Sequence, residues 1–255
     1  MASDYEYFGL MAEAWDVLRG DTTNWDDRFF YLEVIKKYGQ PALDVGCGTG
    51  RLLLDYLQQG IDIDGVDDSP DMLAICRQKA AALGLTPNLY QKKIEQLDLP
   101  RRYRTILVPS STIQLITDPD MAVRGLKRLR DCIQPDGVLA ASVMALWKED
   151  HETVSESQTE AVRASDGAVF RRSSWSEYHP ETGTENTRDR YQMLVDGKVV
   201  REEEHERSPA TRSYNPAQAK HLFESAGFRD ITLLSGFSFD PIRPEDWLFV
   251  ALARK

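Results

Sequence analysis

The run Leu43-Asp44-Val45-Gly46-Cys47-Gly48-Thr49-Gly50 constrains this chain more than any other feature. A short apolar strand, Ala42 to Val45, leads into three glycines at alternate positions, and an amphipathic helix over Arg51 to Gln59 follows. Glycine permits the tight backbone path of such a turn and lets the main chain approach a ligand closely. In an open parallel sheet the turn lies at the carboxyl end of its strand, where ligands bind.

The same alternation continues. Ile61 to Val66 reads as a second strand. Ser69, Pro70 and Asp71 are a cap, a first helical residue and an acidic first turn, and Gly84 follows that helix. Leu89 to Tyr90 and Thr105 to Val108 read as two more strands. Asp118-Pro119 opens a helix through about Cys132, and Pro135-Asp136-Gly137 reads as a turn before a fifth strand, Val138 to Met144. This order predicts a parallel sheet with helices on both faces. Ahead of it, Leu10, Met11, Ala14, Trp15 and Leu18 recur at helical spacing, and Asp26 to Tyr38 reads as a second helix.

Beyond Trp147 the chain turns polar, yet Ala168-Ser174, Thr187-Val195 and Val199-His205 have strand character, with Asp196-Gly197 as a hairpin turn. An antiparallel insert is expected there. Asn215-Pro216 caps a last helix ending at Gly227, and strands Ile231 to Leu234 and Leu248 to Leu252 close the chain.

Composition narrows the function. The 255 residues fit one large domain or a domain with an elaborated insert. The net charge of -10 counts against nucleic acid and anionic membrane as partners. Cys47, Cys76 and Cys132 form neither a disulfide framework nor a zinc spacing. The four histidines, His151, His179, His205 and His221, show no metal-ligand spacing, and no metal is expected. Met1 to Tyr5 lacks secretory character, and no apolar run approaches the roughly 20 residues of a membrane span. A soluble, cytoplasmic protein is expected.

Asp67 ends the second strand, where a carboxylate can accept two hydrogen bonds from a ribose diol. A dinucleotide needs Gly-x-Gly-x-x-Gly to bring its pyrophosphate to the helix end. Here the spacing is Gly-x-Gly-x-Gly, with Asp44 just before it. That carboxylate opposes a pyrophosphate and suits an ammonium group, which favours S-adenosylmethionine.

On these residues, together with Gly65-Val66-Asp67-x-Ser69-Pro70-x-Met72-Leu73 and Pro135-Asp136-Gly137-Val138-Leu139, the chain resembles the class I S-adenosylmethionine-dependent methyltransferases over residues 41 to 145. Within them it is similar to the small-molecule branch that includes the amino-sugar N,N-dimethyltransferases. That similarity rests on Trp15-Asp16, Ser110-Ser111, the insert, and Arg212-x-Tyr214 leading to Ala226-Gly227-Phe228.

The resemblance implies an α/β, three-layer Rossmann-like methyltransferase sheet with the last strand reversed. It divides the chain into an N-terminal helical lid (1–40), a cofactor-binding core (41–145), an antiparallel β insert over the active site (146–213) and a C-terminal helix and strands (214–255). It places Asp44, Gly46, Cys47, Gly48, Gly50, Asp67, Asp68, Met72, Ile94 and Ser110 at the cofactor, with Trp15 and Trp25 in the lid. It puts Tyr7 near the transferred methyl, with Ser111 and Gln114 as further catalytic positions. His179, beside Trp175 and Tyr178, is the best candidate for a pocket histidine, and Arg190 and Tyr214 are candidate substrate contacts.

Three residues depart from the family pattern. Lys93 stands where an aspartate often meets the adenine amine, Thr105 replaces a fourth-strand aspartate, and Gln114 stands where the amino-sugar enzymes have a histidine. The expected reaction is methyl transfer from S-adenosylmethionine to N or O of a small metabolite, leaving S-adenosylhomocysteine, by a monomer or homodimer. The alternatives are an RNA or protein methyltransferase, or a cofactor-binding protein without transfer. Val108-Pro109-Ser110-Ser111 lacks the Asn/Asp-Pro-Pro-aromatic motif of enzymes acting on flipped bases.

Overall fold

The strand Ala42–Val45 divides its side chains between two cores, because successive residues of a strand point to opposite faces. Leu43 and Val45 pack with Leu126 and Phe223, whereas Ala42 packs with Tyr31, Leu53 and Cys76. All four residues are buried. A sheet covered on both faces follows.

The structure, a computed structural model, describes residues 6–145 and 152–255. Trp147 and His151 lie outside them. Helices α1 (Gly9–Arg19) and α2 (Asp26–Tyr38) lead into β1 (Ala42–Val45), α3 (Arg51–Gln58), β2 (Ile63–Asp67), α4 (Pro70–Ala82), β3 (Leu89–Gln91), β4 (Tyr103–Val108), α5 (Pro119–Cys132) and β5 (Ile133–Met144). Then come β6 (Val154–Val162), β7 (Val169–His179), β8 (Thr184–Val195), β9 (Lys198–Arg212), α6 (Pro216–Ser225), β10 (Arg229–Ser235) and β11 (Leu248–Arg254). The main sheet has the order β10-β11-β5-β4-β1-β2-β3. Strands β1 to β5 pair in parallel, and β11 runs antiparallel to both β5 and β10. Helices α5 and α6 cover one face; α2, α3 and α4 cover the other.

Local chemistry sets the element ends. The Ser69 hydroxyl accepts the Met72 amide at 3.1 Å, with Pro70 at the first helical position, so α4 starts where β2 delivers the chain. Asp118 and Asn215 cap α5 and α6 in the same way.

Strands β6 to β9 form a separate antiparallel sheet. Two expectations are corrected. The insert has four strands, and the unanticipated β6 is exposed along nearly its whole length at the sheet edge. Strand β5 starts directly after α5, so Pro135-Asp136-Gly137 is an irregularity inside a strand. Tyr103 pairs with Ile133, yet Thr105 pairs with Val138, and Asp136 takes up the extra length at φ 62°.

Helix α1 packs on the insert sheet and against α4. Leu10, Met11 and Ala14 pack with Phe170 and Tyr191 of the insert. Among the described residues no helix is long and apolar enough to cross a membrane.

Candidate active site

Gly46, Gly48 and Gly50 all have positive φ, at 71°, 53° and 86°. They serve different ends. A Cβ on Gly46 would lie 2.6 Å from Thr112, and one on Gly50 would lie 2.6 Å from the Cys76 sulfur. A Cβ on Gly48 would meet no protein atom within 4 Å, so this glycine opens onto space.

Asp67, at the end of β2, holds the loop. Its Oδ2 accepts the Gly48 amide at 2.8 Å and its Oδ1 accepts the Ser69 amide at 2.9 Å. Burial still raises its pKa to about 6, outweighing those two amides. Asp44 is 1% exposed, and its Oδ1 has no hydrogen-bond partner. Burial pushes this carboxyl up to about 7 against the opposing pull of the Arg51 guanidinium. Arg51 is itself paired with Asp27.

These groups border a cavity of about 730 Å³. Asp44, Gly46, Cys47, Gly48 and Asp67 form its floor, and Asp68, Met72, Ile94 and Ser110 continue it. Tyr7 and Trp15 close it from the N-terminal side, their rings edge to face at 4.7 Å. Burial drives the Tyr7 phenol well above its ordinary pKa.

The N-terminal segment is tied to the glycine turn, to α4 and to the insert. Asp16 accepts the Thr49 hydroxyl at 2.7 Å and pairs with Lys79 at 2.9 Å. Ser69 donates to the Tyr7 carbonyl at 2.7 Å, and Glu203 of β9 accepts the Leu10 amide at 2.6 Å.

Seven expected site residues lie elsewhere. Gly50 faces Cys76 and Leu54 and does not border the cavity. Trp25 is 39% exposed, with the guanidinium groups of Arg19 and Arg51 near its ring. Ser111 sits behind the lining with its amide on Ser142 at 3.3 Å. Gln114 is fully buried. Its Nε2 donates to the carbonyls of Met144 and Arg212, each at 2.8 Å, and its Oε1 accepts the Met144 amide at 2.7 Å. It fastens the insert's exit to β5 and does not border the cavity. His179 contacts Asn186 at 2.9 Å away from the cavity, Arg190 pairs with Glu204 at 2.7 Å, and Tyr214 lies in the core.

Of the departures, Lys93 borders the cavity beside Asp68, and Thr105 is buried with its hydroxyl on the Gly39 carbonyl at 2.8 Å.

Sequence reasoning missed Glu6, Asp189, His205 and Arg207, which border the cavity from the N-terminal segment and the insert. The run Glu202-Glu203-Glu204-His205-Glu206 reads as a solvated strand. Strand alternation carries the missing signal, since residues 203, 205 and 207 are the more buried ones in this stretch of β9.

Residues 42–137 match the family described as methyltransferase domain. This stretch is a methyltransferase domain, and the chain is an enzyme that uses S-adenosylmethionine. It is 26% identical over 229 residues to the dTDP-3-amino-3,6-dideoxy-alpha-D-glucopyranose N,N-dimethyltransferase of Streptomyces fradiae, covering 87% of this methyltransferase and 85% of that protein. It is 30% identical over 124 residues to a ubiquinone biosynthesis O-methyltransferase of Haemophilus ducreyi, covering 46% of this chain and about half (51%) of that relative. An S-adenosylmethionine-dependent methyltransferase from Clostridium acetobutylicum shares the fold at a TM-score of 0.75 and 18% identity, with 93% of this chain and 94% of that one covered. The enzyme's cofactor is S-adenosylmethionine.

Proposed function

We propose that this methyltransferase alkylates N or O of a small-molecule metabolite, held between the cofactor floor and the insert. One observation carries the reading: a cavity of about 730 Å³ is bounded both by the glycine turn and by β8 and β9. Residues 41–145 and 214–255 then form the cofactor-binding body, while the described residues of the segments 1–40 and 146–213 close over it.

The floor suits the cofactor. Asp44 Oδ1 is buried without a partner, as expected of a carboxylate that receives an ammonium group. Each Asp67 oxygen holds one amide and keeps a lone pair for a ribose hydroxyl. Gly48 leaves room for close approach. Met72 and Ile94 offer apolar walls to adenine beside Asp68. When bound, the cofactor supplies an electrophilic methyl on a sulfonium.

Tyr7, Trp15 and Met11 exclude water from above, and the hydrogen bonds of α1 to Thr49 of the glycine turn and to Glu203 of β9 keep them there. Holding acceptor and donor in line in a dry space supplies much of the acceleration.

The Streptomyces relative acts on an amino-sugar nitrogen by its name, and the Haemophilus relative is an O-methyltransferase. They support N and O acceptors respectively. The net charge of -10 supports a partner other than nucleic acid, and a cytoplasmic monomer or homodimer fits the reading.

The test is incubation with S-adenosylmethionine and a panel of primary amines, secondary amines, phenols and sugar alcohols. S-adenosylhomocysteine release with a one-methyl mass gain on a panel member is expected. Methylation of RNA or protein with none on the panel would overturn the reading.

A further inference from the structure

His205 is only 7% exposed, borders the cavity, and its Nε2 has no hydrogen-bond partner. A buried imidazole nitrogen without a partner is costly unless something that enters the site satisfies it. The ring is fixed. Phe8 lies 4.4 Å from it on one side and Tyr191 lies 5.3 Å away in edge contact, centroid to centroid. The carboxylate of Glu203, 3.5 Å from Nε2, is itself held by the Leu10 amide at 2.6 Å and Arg201 at 3.3 Å. Neighbouring acids are engaged elsewhere. Asp189, the cross-strand partner of His205, is gripped by Arg172 at 2.9 and 3.0 Å, and Glu6 pairs with Arg207 at 2.8 Å.

We propose that His205 Nε2 receives the proton of the methyl acceptor, which enters the cavity with an N–H or O–H directed at it. The inference rests on the small-molecule reading above. The acceptor X–H bonds to Nε2, and a lone pair on X forms the X–C bond. The C–S bond breaks with its electron pair left on sulfur. The proton moves from X to Nε2, and the positive charge that leaves sulfur ends on the imidazole. Glu203 stands where it stabilises that imidazolium, and water takes the proton afterwards. The charged and titratable groups around His205 are Glu203 and Arg207 on β9, Asp189 and Tyr191 on β8 with Arg172 behind them, and Glu6 on the N-terminal segment.

His205→Ala and His205→Gln test this alongside the wild type, with thermal melting, calorimetric binding of S-adenosylhomocysteine, and initial rates on the acceptor panel across pH. Both variants are expected to bind S-adenosylhomocysteine within about threefold of wild type, while turnover falls about 10²- to 10⁴-fold, the range for loss of a general base. The fall of the wild-type rate toward acid pH should disappear, and added imidazole should restore turnover in His205→Ala. Should the alanine variant not fold, His205→Gln decides. Turnover kept within about threefold, or lost in the same proportion as cofactor affinity, would overturn the proposal. A wild type that binds S-adenosylhomocysteine yet methylates nothing on the panel contradicts the small-molecule reading, and this inference falls with it.

Discussion

Asp67 Oδ2 accepts the Gly48 amide at 2.8 Å, so a carboxylate ending one strand holds the turn that follows its neighbour. The same side chain is therefore both a loop anchor and, in the proposed site, the ribose acceptor. Asp67→Ala removes both functions. Two hydrogen bonds to a charged group are worth about 1.5–3 kcal/mol each, so affinity for S-adenosylmethionine should fall at least about 100-fold by calorimetry. Unchanged affinity would remove the ribose assignment.

Gly48 and Gly50 should separate binding from folding. Alanine at Gly50 would take a left-handed φ of 86° and press on the Cys76 sulfur and Leu54. Strain and overpacking together predict a loss of about 2–4 kcal/mol in denaturant unfolding. Gly48→Ala places its methyl in open space and should cost only about 1 kcal/mol, yet cofactor affinity should drop. Equal effects of the two changes on stability would contradict this division.

Gln114→Ala should act on stability first. It leaves the amide and carbonyl of Met144 and the carbonyl of Arg212 without their side-chain partner. At about 1–3 kcal/mol for a buried orphan, a loss of about 3 kcal/mol is expected, with faster amide exchange at Met144. Intact stability with abolished turnover would return Gln114 to the reaction.

Proton linkage gives a further check. Burial raises Asp44 to about 7, Asp67 to about 6 and Glu6 to about 7, all above their ordinary carboxyl values. The folded chain keeps these protons after the unfolded chain has lost them. Their contribution to stability is full below about pH 4 and lost as pH rises to about 7. The unliganded melting temperature should therefore decline over that window through these groups, less steeply in Asp44→Asn. An ammonium group at Asp44 reverses the balance, so binding near pH 6.5 should release protons, visible as buffer-dependent heats. Proton uptake would contradict the placement.

The parts that the sequence exposed are those fixed by local chemistry. Ser69-Pro70 marks the start of α4, and Asp196-Gly197, both at positive φ, turns β8 into β9. The glycine turn and Asp67 border one cavity because strand ends in a parallel sheet converge. Strand β6 gave no such signal, since Ser155 to Glu160 are exposed and it is held by backbone pairing to β7. The surroundings of Gln114 and His205 are not legible in the sequence for one reason. Whether a polar side chain meets backbone or cavity depends on where Met144, Arg212 and Phe8 arrive, and sequence spacing does not encode those tertiary contacts.

The most direct test of the account is calorimetric titration of the intact protein with S-adenosylmethionine and, separately, S-adenosylhomocysteine. Saturable one-site binding near micromolar, about -8 kcal/mol, is predicted for both, with proton release for each. A folded sample that binds neither would contradict the placement of the cofactor on Asp44 and Asp67.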